Sequence, residues 1–89
     1  MTSDLPTVWS RIRQHEGEGF QLIRGDVFTY EMFDNYLRPV GRVRHLSRTN
    51  FGKALARVPL DGYQSVKDLQ GPSYVYAILM DPRVRRGDW

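Results

Sequence analysis

The sequence predicts a small α+β domain, a three-stranded antiparallel meander packed with three to four short helices. Three observations predict it. The run from Gly71 to Pro82 is the chain's one long apolar stretch, without charge between Ser73 and Met80, so it belongs at the centre of a core. Aromatic and β-branched residues alternate between Phe20 and Val40, with turn signals between them. Short apolar stripes at helical spacing flank that region on both sides. The 89 residues, 40% hydrophobic and 26% charged, suit one globular domain over 1–89, with loose termini expected at 1–6 and 84–89.

Asp4 or Thr7 is placed to cap a first helix running to about His15, with Val8, Trp9 and Ile12 as its apolar stripe. Gly17 follows as a left-handed C-cap. The strands are read at Phe20–Arg24, Val27–Phe33 and Tyr36–Val40. Gly25-Asp26 and Asp34-Asn35 supply the turns, the latter because both residues tolerate positive φ. Phe28, Tyr30 and Met32 share one face of the second strand, and Val27, Thr29, Glu31 and Phe33 share the other. Pro39 cannot donate to a ladder, which places the third strand at an edge or ends it there.

Gly41 to His45 reads as a basic connector into a second helix. Ser47 is its N-cap, Leu46 and Phe51 hold the positions of a hydrophobic staple, and Phe51, Leu55 and Val58 form one face up to Pro59. Ser65 caps a short turn of helix to Gln70. The Gly71–Pro82 run is ambiguous by propensity, since Tyr74, Val75, Tyr76 and Ile78 favour a strand. Its punctuation favours a buried helix: Gly71 at the N-cap, Pro72 at the first helical position and Pro82 as the stop. A central strand is the alternative. Tyr74 and Tyr76 are expected as core rings.

The absence of cysteine excludes disulfides and thiolate chemistry and fits a reducing interior. The N-terminal Met-Thr-Ser-Asp-Leu-Pro lacks the basic start and apolar run of a signal peptide, so the expected location is the cytoplasm. Two histidines without helical metal-ligand spacing predict no metal site, and no phosphate-binding glycine loop is present. The expectation is a non-enzymatic protein without a cofactor.

Charge carries the strongest functional signal. The net +3 conceals a segment, 36–60, that holds Arg38, Arg42, Arg44, Arg48, Lys53 and Arg57 and no carboxylate. Eleven of the thirteen cations are arginine, whose planar fork suits phosphate and carboxylate. Arg42, Arg44, Arg48, Lys53 and Arg57 are the predicted phosphate contacts of a duplex-DNA-binding module, with Thr49 and Asn50 as base contacts. Arg83, Arg85 and Arg86 in the basic tail join them, alongside Trp89. About five neutralised phosphates would give a slope of log K on log salt near −4 to −5. The alternative is a protein–protein module that docks an acidic partner on the same arginines, with Phe33, Tyr36 or Trp89 as aromatic anchor.

The runs Phe28–Glu31, Leu46–Leu55 and Gly71–Arg83 resemble segments of small uncharacterised proteins of actinobacteria and their phages. The resemblance covers roughly half the chain and includes no motif of known chemistry. It implies an intracellular phage or bacterial accessory protein and assigns a role to no residue.

Overall fold

The computed structural model describes residues 4–89. Helix α1 spans Leu5–Gln14 and begins where the Asp4 carboxylate accepts the Thr7 N–H at 3.0 Å. That bond satisfies one of the free donors of the first turn. Its buried face is Val8, Trp9 and Ile12. Of the terminus expected to be loose, Leu5 and Pro6 already belong to this helix, and residues 1–3 lie outside the described residues.

The strand-rich segment forms two small antiparallel sheets rather than one meander. Strands β1 (Phe20–Gln21) and β2 (Val27–Phe28) make the first, joined through Gly25 at φ 101°. Strands β3 (Tyr30–Met32), β4 (Tyr36–Pro39) and β5 (Leu46–Ser47) make the second, in that spatial order. The expected strand Val27–Phe33 is interrupted at Thr29 and changes partner there, from β1 to β4. Its pleat survives the change: Phe28, Tyr30 and Met32 are all buried, whereas Val27 and Glu31 are exposed. The Asp34-Asn35 turn closes the β3–β4 hairpin where expected, with the Phe33 N–H on the Tyr36 oxygen at 2.8 Å, although neither residue takes the positive φ on which that expectation rested.

Strand β4 is central and not an edge, because β5 pairs with it through Tyr36–Ser47 and Leu37–Leu46. Pro39 ends the strand beyond the reach of β5, so its missing donor leaves no gap in that ladder. The second residue of β5, Ser47, also serves as N-cap of α2 (Arg48–Leu55), its hydroxyl accepting the Asn50 N–H at 3.0 Å. This helix stops three residues before the expected Val58. Its end tightens, with Arg57 N–H to Ala54 O and Val58 N–H to Leu55 O ahead of Pro59. The stretch 63–66 forms a 3₁₀ turn rather than a Ser65-capped helix.

Helix α3 (Pro72–Leu79) confirms the helical reading of the apolar run. Val75, Ile78 and Leu79 are fully buried, with Tyr74, Tyr76, Ala77 and Met80 packed around them. Gly71 at its N-cap has φ 55°, and a Cβ there would lie 2.7 Å from Leu46 Cδ2. Both backbone and space therefore require glycine. Pro82 ends α3 and opens α4 (Pro82–Arg85), capped by Asp81.

The tail expected to be loose at 84–89 is docked. Val84 is fully buried, Arg11 pairs with Asp88 at 2.7 Å, and the Trp89 indole N–H donates to the Leu79 oxygen at 2.9 Å.

Candidate anion-binding surface and an adjoining groove

The ten predicted site residues separate into two groups. Arg42, Arg44, Thr49 and Lys53 are exposed and Arg48 is half-buried. Among the described residues, none of Arg42, Arg44, Arg48 and Lys53 has a carboxylate at ion-pair distance. Arg11, Arg24, Arg38 and Arg57 each have one, and Arg83 has two. Arg44 donates to the Gln70 side-chain oxygen at 3.0 Å, a neutral partner that orients the guanidinium without cancelling its charge. On α2, Thr49 and Lys53 recur at a spacing of four and share an exposed stripe. Arg48 lies about 100° round the helix from Thr49. There its own N–H meets the Asn35 oxygen of the β3–β4 turn at 2.7 Å.

Asn50 is not a surface residue. It is 6% exposed, and its amide grips the backbone of Gln70 from both sides. Nδ2 donates to the Gln70 oxygen at 2.9 Å, and the Gln70 N–H donates to Oδ1 at 3.1 Å. The amide fixes the segment leading into α3 and, buried there, is not presented to a base. The outward placement expected from helical spacing is thereby corrected.

Four arginines hold the fold together. Arg57 forms a two-pronged pair with Asp68 at 2.6 and 2.9 Å and also donates to the Ser65 oxygen. Hydrogen bonding from Arg57 lowers the Asp68 carboxyl to about 2. Arg83 lies over the Phe20 ring at 3.9 Å while bonding Asp81, Glu18 and the Gly19 oxygen. Hydrogen bonds first from His15 and then from Arg83 hold Glu18 below its usual range. Burial raises Asp81, but the Arg83 hydrogen bonds outweigh it and the net shift is downward. Arg85 donates to the backbone oxygen of Trp89, and Arg86 donates to the Gln14 side-chain oxygen at 2.8 Å. Arg57 and Arg83, each paired with carboxylate, have less of their field to offer a ligand, whereas the Gln14 partner of Arg86 is neutral, like the Gln70 partner of Arg44.

Beside the uncompensated cations lies a feature that the charge pattern did not reveal. Three hollows of about 260, 280 and 460 Å³ meet at Tyr74, whose ring stands edge-on to Phe28 at 4.9 Å. Ile23 and Tyr63 line one hollow, and Val27 and Val40 line another. Arg42 and Arg44 line the third, with exposed Val43 between them in the chain. The signal was present in the strand alternation, which put Val27 on the solvent face with Glu31. Tyr74 is thus half-buried and forms part of a surface groove rather than a wholly enclosed core ring.

A second aromatic feature lies on β4. Phe33, Tyr36 and His45 stack in a column, with centroids 4.6 and 4.4 Å apart. Two of the rings expected as docking anchors, Phe33 and Tyr36, therefore cover each other's faces, and the third, Trp89, packs against the core. Among the described residues no helix is long and apolar enough to cross a membrane. Comparisons with protein-family models, with curated proteins and with solved structures found no match to this chain.

Proposed function

We propose that the protein is a small non-enzymatic module that binds duplex DNA in the cytoplasm through Arg42, Arg44, Arg48 and Lys53. One observation supports this reading: these four cations come from the segment 36–60, which holds no carboxylate, and among the described residues none of them has one within ion-pair distance, whereas five other arginines do. An uncompensated group of this kind attracts a polyanion and releases its counterions. Thr49 supplies an exposed hydroxyl on the same stripe as Lys53. With Asn50 held internally and Arg57 and Arg83 paired, the binding mode is backbone contact with little base readout.

The test is the salt dependence of binding to arbitrary duplex DNA. Four contacts give a slope of log K on log salt of about −3 to −4, and Arg48→Ala or Lys53→Ala each brings it about 0.9 closer to zero. A slope near zero, or no binding at low salt, overturns the reading. An acidic protein partner is the second reading, favoured by the apolar groove beside these cations.

A further inference from the structure

We infer that the groove around Tyr74 is a docking site for an extended segment of a partner protein in which apolar side chains alternate with carboxylates. This gives the second reading above a place and a partner, and it does not depend on DNA binding.

Three observations carry it. First, the large apolar side chains exposed among the described residues are Ile23, Val27, Val40, Val43 and Tyr63, at 65, 70, 54, 93 and 37%. They are far apart in sequence, yet four of them line hollows that share Tyr74, and Val43 lies between two residues lining the third hollow. Exposed apolar residues on a monomer are normally scattered, and a contiguous cluster marks a surface that another molecule covers.

Second, the rim is positive. Arg24, Arg42 and Arg44 line the three hollows. The one carboxylate among the lining residues, Asp26, is held by Arg24 at 3.0 Å. Arg42 and Arg44 therefore face the groove uncompensated. Charge complementarity selects an acidic occupant and argues against a second copy of this chain, which carries net +3.

Third, there are three separate hollows that adjoin one another around the single ring of Tyr74. That shape fits an extended segment whose alternate side chains, the apolar ones, enter different hollows, while the long rim arginines reach out to the carboxylates between them. The apolar lining of the Arg42–Arg44 hollow, made by Pro39, Leu46, Pro72 and Tyr74, offers a nucleotide little beyond the two guanidinium groups.

The test uses fluorescent octapeptides in which Leu or Phe alternates with Asp or Glu, read by polarisation against the intact protein. Matched series with Lys in place of the acids, and with Ser in place of the apolar residues, serve as controls. The acidic apolar series is expected to bind. Val27→Ser and Tyr63→Ser, both at exposed positions, each weaken it about tenfold or more. Arg42→Glu abolishes it, and neither control series binds. Circular dichroism establishes that each variant is folded. The inference is overturned by no binding of the acidic series, by equal binding of the Lys series, or by Val27→Ser binding as well as the parent. Concentration-dependent dimerisation that the same serine variants prevent also overturns it, by assigning the groove to a second copy. The DNA salt slope of Val27→Ser and Tyr63→Ser stays at the parent value, so this inference and the DNA reading fail independently.

Discussion

Replacing Asn50 by alanine separates a base-reading residue from a structural one. The substitution leaves α2 with a better helix former but removes both bonds to Gln70, the 2.9 Å donation to its oxygen and the 3.1 Å acceptance from its N–H. Each bond contributes about 1 kcal/mol net, and the partners left behind lose more where water cannot reach them. The Gln70 groups are part-buried, so water replaces some of the loss, and the expected destabilisation is about 2–3 kcal/mol. For a domain of this size that lowers Tm by about 10–20 °C. Urea denaturation and a thermal melt by circular dichroism measure it directly. DNA affinity per folded molecule, measured well below the new Tm, is expected to match the parent with the same salt slope. Stability within about 0.5 kcal/mol of the parent refutes the clamp. Unchanged stability with a selective loss of affinity returns Asn50 to the binding surface.

The other predictions concern the pairs that keep the fold closed. Arg83→Ala removes contacts to Asp81, Glu18 and the Gly19 oxygen together with the face of Phe20, and is expected to cost about 1–3 kcal/mol in urea midpoint times m. A loss below about 0.5 kcal/mol would show the cluster to be a solvated surface arrangement. The Asp68 carboxyl lies at about 2 in the fold against an ordinary 3.8, so its pairing stabilises above pH 4 and is lost as pH falls towards 2. Asp68→Asn is therefore expected to flatten the acid limb of stability between about pH 4 and 2, and an unchanged limb assigns the titration elsewhere. Gly71→Ala meets both φ 55° and Leu46 Cδ2 at 2.7 Å and is expected to destabilise by about 1–3 kcal/mol, whereas Gly41→Ala, with open space around it, costs only its backbone strain.

Much of the local structure was legible because it is written in neighbouring residues. Asp4 and Ser47 cap their helices as short polar side chains do, and Gly71, Pro72 and Pro82 bound a helix despite the β-branched and aromatic residues between them. The place of the Asp34-Asn35 turn, though not its backbone conformation, and the buried face of Phe28, Tyr30 and Met32 followed from turn-forming residues and a period of two. Strand β5 was hidden because two residues carry no periodic signal, and only pairing with Tyr36 and Leu37 makes them a strand. The change of partner at Thr29 was hidden for the same reason.

The candidate site was legible as a surplus of charge but not as an arrangement. Sequence alone determined that Arg42, Arg44, Arg48 and Lys53 lie in a segment without carboxylates, and that the apolar run between Gly71 and Pro82 belongs to the core, while helix and strand both stayed open for it. Tertiary structure decided which cations keep their charge available. Asp68 lies 11 residues from Arg57, and Glu18 lies 65 residues from Arg83, and the fold brings each pair within 3.0 Å. It also turned Asn50 inward onto Gln70 and gathered Ile23, Val27, Val40 and Tyr63 around Tyr74. Helical spacing and composition describe each element against water, whereas pairing and burial depend on which other element arrives beside it.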